Sequence, residues 1–247
     1  MLNFSKSLII ICALFLGVNP LFAQDKFTVN AKADMVSNYV WRGSDQNSGF
    51  SIQPSLAMSY KGLSLSAWGS QSLTNIANGP QEFDINLSYS IKGFTITLSD
   101  YWWDGLTSAY GNYTKSHHLE GSLSYSFKES CNLPLTLSWS TWFAGADNFK
   151  SNPNGDPTRA YSTYISACYD IALPAAITLT PSVGFTPWEG LYYSKATFTD
   201  IALKASKSIE ITDRFAIPLF VQVIVAPHDT AKGVDKTYLV AGTSIGF

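Results

Sequence analysis

Charge is scarce in this 247-residue chain: Asp, Glu, Lys and Arg together make up only 14% of it. An ordinary soluble domain carries about 25%. The sixteen basic residues are matched by eighteen acidic ones, so no basic surface for nucleic acid is encoded. Histidine is nearly absent, with three residues, which leaves little for a metal centre or an acid–base pair. Cysteine is also limited to three. Past the N-terminus no run of 18 apolar residues occurs, so no transmembrane helix is predicted. Pro-rich linkers, coiled-coil heptads and long charge runs are missing too, and no internal domain boundary is read.

What the sequence does have is aromatic residues, at 14%, and Ser and Thr in quantity. Disorder is excluded by that mixture. Few charges, many rings and many hydroxyls point to β structure beside an apolar medium.

Residues 1–23 read as a secretory signal. Lys6 precedes an apolar run from Leu8 to Val18, and the stretch Asn19-Pro20-Leu21-Phe22-Ala23 offers cleavage after Ala23. Cys12 lies within the run rather than at the end of a lipobox, so no lipid anchor is read. The mature domain is then 24–247. Export carries it to an oxidising compartment, so Cys131 and Cys168 are candidates for one disulfide, with two free thiols as the alternative.

Beyond the signal the hydrophobic period is two, the period of a strand. Phe27, Val29, Ala31, Ala33 and Met35 alternate with Thr28, Asn30, Lys32 and Asp34. Phe94, Ile96 and Leu98 alternate with Thr95, Thr97 and Ser99. About twelve such segments occur. Lys61-Gly62 and Lys92-Gly93 mark tight hairpins. The connections between those turns are long and rich in Gly, Asn, Asp and Trp, as at Arg42–Gly49, Asp104–Ser116 and Gly145–Arg159. Short turns at one end and long loops at the other describe an antiparallel transmembrane β-barrel of the bacterial outer membrane, with both termini on the periplasmic side.

The rings sort by height. Tyr60, Tyr89, Tyr125, Phe127 and Tyr169 lie beside the short turns. Trp41, Trp102, Trp103, Trp142, Trp188, Tyr192 and Tyr193 lie beside the long loops, so two interfacial girdles are expected. A soluble sandwich would pack such rings across strands instead. The last strand ends on Phe247, with Ile245, Ala241 and Leu239 at alternate positions. This resembles the C-terminal signal that the barrel assembly machinery reads in outer-membrane proteins.

One short stretch carries a family resemblance. Val36-Ser37-Asn38-Tyr39-Val40-Trp41-Arg42-Gly43 followed by Gln46 resembles the opening motif of the TorF-like family of outer-membrane porins. Asp45 stands where that family more often has Ser or Thr. The resemblance is specific over about fifteen residues. It implies an exported porin-type barrel in the outer membrane of a Gram-negative bacterium, and names no solute.

Twelve strands enclose more space than the eight that side chains alone fill, and less than a sixteen-stranded porin. Inward Ser and Thr predict a narrow wet passage for small polar or charged solutes, lying in outer-membrane lipid. Inward charges read from the alternation are Lys32, Asp34, Glu82, Asp84, Glu120, Asp170, Asp200 and Lys204. Their acidic excess predicts a mild cation preference. Arg42 at the mouth is suited to bind an anion or, as favoured here, to pin its loop through a carboxylate such as Asp45.

Two alternatives are weighed against the pore. One is a structural or surface-contact barrel without conductance. The other is an outer-membrane hydrolase, for which His118 beside Glu120 on one face is the best acid–base candidate, with His117 on the other. No Gly-x-Ser-x-Gly elbow and no His/Cys cluster accompany them. The reading is therefore not an enzyme, with no cofactor, no metal and no nucleic acid.

Overall fold

The computed structural model describes residues 26–46, 48–74, 81–103, 110–113, 116–147, 150–151, 153–212, 215–227 and 236–246. The signal segment 1–23 and Phe247 lie outside the described residues.

Twelve antiparallel strands form one closed wall. They are β1 (Thr28–Val36), β2 (Ser51–Tyr60), β3 (Leu63–Ser72), β4 (Gln81–Ile91), β5 (Phe94–Trp103), β6 (His117–Ser126), β7 (Leu135–Gly145), β8 (Thr163–Tyr169, resuming at Ile171–Leu173), β9 (Ile177–Thr186), β10 (Thr197–Thr212), β11 (Phe215–Ala226) and β12 (Lys236–Gly246). Each pairs with its chain neighbours. The cylinder closes where β1 meets β12, with Lys32 opposite Gly246 and Val36 opposite Gly242. A two-stranded ribbon would leave an edge able to pair with other chains; closure removes every such edge from hydrocarbon.

The turns match the residues that make them. Lys61-Gly62 and Lys92-Gly93 both take positive φ at both positions, the geometry of two-residue hairpins. A single helical turn, α1 (Lys128–Cys131), joins β6 to β7 at the same end. β8 breaks at Asp170, whose Oδ1 takes the Thr180 hydroxyl at 2.6 Å.

Alternation puts aliphatic and aromatic side chains outside. Leu98 is 52% exposed and Leu203 47%, and Leu65, Leu87, Leu123, Leu137 and Val221 join them around the girth. Leaving one such side chain in water forfeits about 1.5–3 kcal/mol. Summed over this belt the loss is tens of kcal/mol, beyond the roughly 5–15 kcal/mol that holds a typical fold. The barrel therefore requires an apolar medium around it.

The interior differs from the hydroxyl-lined expectation on one side. Val36, Ala202, Ile224 and Val240 form a buried apolar cluster, with Val40, Phe220 and Tyr238 packed against it. The β11 segment is apolar on both faces, and its Phe220 and Ile224 turn inward by alternation.

Cys131 and Cys168 are free thiols in the structure, the alternative held open beside the disulfide. Cys131 sits exposed on α1, its Sγ turned to the Phe127 carbonyl at 3.3 Å. Cys168 lies in the wall opposite Thr136.

Candidate functional site

The first long loop does not extend into solvent. After β1 the chain turns inward as a small hairpin, Val40–Trp41 paired with Ser44–Asp45. Its turn is Arg42-Gly43, both at positive φ, 49° and 80°. Glycine is required at the second position. A Cβ on Gly43 would overlap the carbonyl oxygen of Thr199 on β10, so the hairpin tip touches the far wall.

The polar residues of the opening motif hold this insertion in place. The Ser37 amide donates to the Ala241 carbonyl at 2.8 Å, and the Ala241 amide donates back to Ser37 Oγ at 2.9 Å. The Asn38 side-chain amide donates to Asp45 at 3.1 Å across the hairpin. The Tyr39 amide donates to the buried hydroxyl of Ser48 at 2.9 Å, and the Tyr39 ring lies 5.6 Å from that of Trp68. The Gln46 amide closes the hairpin base on the Tyr39 carbonyl, and its side chain donates to the Ser44 carbonyl.

Arg42 crosses the lumen to Glu120 on β6. Its guanidinium donates from Nη1 to Oε2 at 2.6 Å and from Nη2 to Oε1 at 2.9 Å, a fork on a carboxylate. Arg42 Nη1 also donates to the Tyr192 hydroxyl. The ring centres of Trp41 and Tyr164 stand 4.5 and 4.6 Å from the guanidinium carbon. The favoured partner, Asp45, takes Asn38 instead. The reason is topological: the hairpin points its tip away from its own strands, so the nearest carboxylate is on the opposite wall.

Glu120 is almost fully buried and accepts three further bonds, from Tyr101 (3.0 Å), Trp142 Nε1 (2.9 Å) and Ser122 (3.1 Å). Trp142 reaches it because a bulge between Leu119 and Glu120 puts Trp142 directly opposite the carboxylate. Tyr192 comes from the loop between β9 and β10. That loop is tied down where Leu191 donates to Ser162 Oγ at 2.7 Å, and Ser162 donates to the buried Asp147 at 2.6 Å. Burial pushes the Tyr192 phenol well above its ordinary pKa, so it stays a neutral hydroxyl beside Arg42.

The expected upper girdle is therefore split. Trp41, Trp103, Trp142 and Tyr192 pack on one another inside the lumen, with ring centres 5.4–6.3 Å apart. Trp102 stays outside with Tyr110, and Trp188 with Trp139. Tyr101 and Tyr164 were not singled out in the sequence, and Trp142 and Tyr192 were read there only as girdle rings, because nothing in a strand pattern reveals partners across a cylinder. A cavity of about 130 Å³ remains beside the hairpin tip, bounded by Trp41, Arg42, Gln46, Trp103, Tyr192 and Thr199.

The other candidate charges fall into separate places. Lys32 pairs with Asp34 at 2.8 Å, and Asp34 also takes the Ser244 hydroxyl. Asp200 accepts from the hydroxyls of Tyr164 (3.1 Å) and Thr199 (2.9 Å). Lys204 lies opposite Thr180 and Gln222. Glu82 and Asp84 are buried on the β4 face that carries them both inward. His118 is wedged between Trp103 and Trp142, with ring centres 4.7 and 4.4 Å away. His117 faces outward, where its Nδ1 meets Asp100 at 2.7 Å and its Nε2 the Tyr110 carbonyl, and Tyr113 stacks on its ring.

A closed antiparallel cylinder with an apolar outer belt and a polar hairpin inside defines an integral membrane barrel of the outer-membrane type. The chain belongs to the Gcw_chp family, bacterial proteins of unknown function, whose family model matches residues 22–222. That match does not confirm the TorF-like name suggested by the opening motif; the barrel which the resemblance implied is present. No curated protein matches in sequence. Among solved structures, the NanC porin is similar at a TM-score of 0.52 and 9% identity, over 88% of this chain and 99% of that one. The KdgM porin aligns at 0.45 and 9% identity, over 89% and 98%. Outer membrane phospholipase A of Escherichia coli aligns at 0.37 and 13% identity, over 88% and 92%. At these identities the NanC likeness speaks for the fold alone, and the two weaker ones carry no argument.

Proposed function

We propose that the protein is a narrow porin of the outer membrane of a Gram-negative bacterium, passing small polar or charged solutes by passive diffusion. One observation carries this reading. Toward the short turns the lumen is lined by half-exposed polar side chains, among them Ser64, Ser66, Asn86, Ser88, Thr97, Ser122 and Ser124. Small hydroxyls leave space and bind water, unlike the filled interior of a packed barrel. The Arg42 hairpin then acts as the constriction above that wet chamber. Its one cation is matched by Glu120, and Lys32 by Asp34. Glu82, Asp84 and Asp200 then outweigh Lys204 along the wall, which favours cations.

The resemblance of the opening motif to TorF-like porins supports the same reading. Export after cleavage at Ala23, and assembly through a C-terminal signal that includes Ile245, belong to the proposal. A second reading, a structural barrel with no conducting path, draws on the same hairpin, since Trp142 and Glu120 are sealed beneath it. A hydrolase is less favoured: Glu120 is committed to Arg42, and His118 Nδ1 has no hydrogen-bond partner.

Single-channel recording on refolded protein in planar bilayers separates these. Small, steady conductance steps with a reversal potential favouring cations are expected. Silent insertion supports the structural barrel, and anion selectivity overturns the charge argument.

A further inference from the structure

Glu82 and Asp84 enter the porin reading only as wall charge, which leaves their burial side by side unexplained. They stand two apart on β4, so alternation turns both toward the lumen. Only 8% of Glu82 and 5% of Asp84 is exposed. No Lys or Arg bridges to either among the described residues; Arg42 is spent on Glu120. One oxygen of each carboxylate, Glu82 Oε1 and Asp84 Oδ1, is sealed from solvent with no hydrogen-bond partner. Tyr39 hydrogen-bonds to Glu82 and Trp103 offers it a further donor, but a buried carboxylate without a charged partner still costs several kcal/mol, and two side by side repel. Something positive must offset them.

The surroundings select what that is. In register, Glu82 lies opposite Ser70 on β3, and the Gln53 side-chain amide donates to Ser70 Oγ at 3.3 Å. The Tyr39 hydroxyl hydrogen-bonds to Glu82 and lies within reach of the Asp84 charge. No three His, Cys, Asp or Glu are grouped to hold a metal among the described residues. Any donors beyond the two carboxylates are therefore neutral oxygens. An all-oxygen set with two negative charges suits a hard divalent cation, not a thiolate- or imidazole-seeking metal.

We propose that Glu82 and Asp84 bind one divalent cation of the calcium type inside the barrel, with neutral oxygens from Ser70, Gln53 and Tyr39 completing its shell. Bound there, the ion ties β4 to β3 and to the base of the inner hairpin through Tyr39. Binding does not depend on whether the barrel conducts, so this inference and the porin reading fail separately.

Full-length mature protein refolded in detergent and stripped with a chelator provides the test. Terbium luminescence excited through tryptophan is the readout, because Asp84 lies opposite Trp68 and Glu82 opposite Trp103. A saturable signal displaced by calcium is expected, and lost in both Glu82→Gln and Asp84→Asn. In parallel, with a dissociation constant of about 10⁻⁴–10⁻³ M, 10 mM calcium raises the folded-to-unfolded ratio roughly 10- to 100-fold in the parent chain. That gain disappears in either variant. Luminescence unchanged by both substitutions overturns the proposal. So does a parent chain that binds no terbium, or one that both substitutions stabilise without calcium, which marks the acids as neutralised by protons.

Discussion

Cutting the Arg42–Glu120 fork tests how the lumen is built. Glu120→Gln removes the charge that takes both Nη atoms at 2.6 and 2.9 Å. The guanidinium then keeps one uncharged acceptor, the Gln carbonyl oxygen, beside the Tyr192 hydroxyl and the rings of Trp41 and Tyr164. Removing one partner of a buried ion pair costs about 3–5 kcal/mol, because the other charge stays desolvated. Arg42→Met is expected near the lower end of that range, about 3 kcal/mol, since Glu120 keeps its bonds from Tyr101, Trp142 and Ser122. The double variant leaves no orphaned charge. Its cost is expected to fall below the sum of the singles by about 1–3 kcal/mol. The assay is reversible urea unfolding in lipid vesicles, followed by tryptophan fluorescence. Single-channel conductance of the same proteins is expected to rise and grow noisier as the hairpin tip loses its anchor. Additivity within about 0.5 kcal/mol refutes the coupling. Unchanged conductance in a destabilised Glu120→Gln refutes the hairpin as the constriction.

Two further outcomes follow from the wall and the tip. Gly43→Ala forces a side chain into positive φ and onto the Thr199 carbonyl, so a loss exceeding about 1–2 kcal/mol is expected; a urea midpoint equal to the parent's removes the steric argument. Leu98→Arg puts a charge in the lipid-facing belt and is expected to cost about 2–4 kcal/mol, whereas Thr97→Arg, one residue away and facing inward, leaves stability near the parent and lowers cation conductance. Equal stability of the two variants contradicts the assignment of faces.

The barrel was legible because its signals are local. Alternation such as Phe94-Thr95-Ile96-Thr97-Leu98 fixes which face meets lipid, and Lys61-Gly62 and Lys92-Gly93 fix where the chain reverses. Each signal acts within a few residues, so twelve strands and the long-loop end followed from reading along the chain. Glu120 and Arg42 were separately visible as an inward carboxylate and a rim cation. Their pairing was not, because 78 residues separate them.

Side-chain types and periodicity alone settled strands, faces and turns. Only the closed cylinder decided that Arg42-Gly43 points inward, that Trp103 and Trp142 leave the lipid interface for the lumen, and that Cys131 and Cys168 stay apart. The physical reason is that closure brings distant walls within reach of one another. A buried charge must then find its partner across that space, wherever the partner lies in the chain.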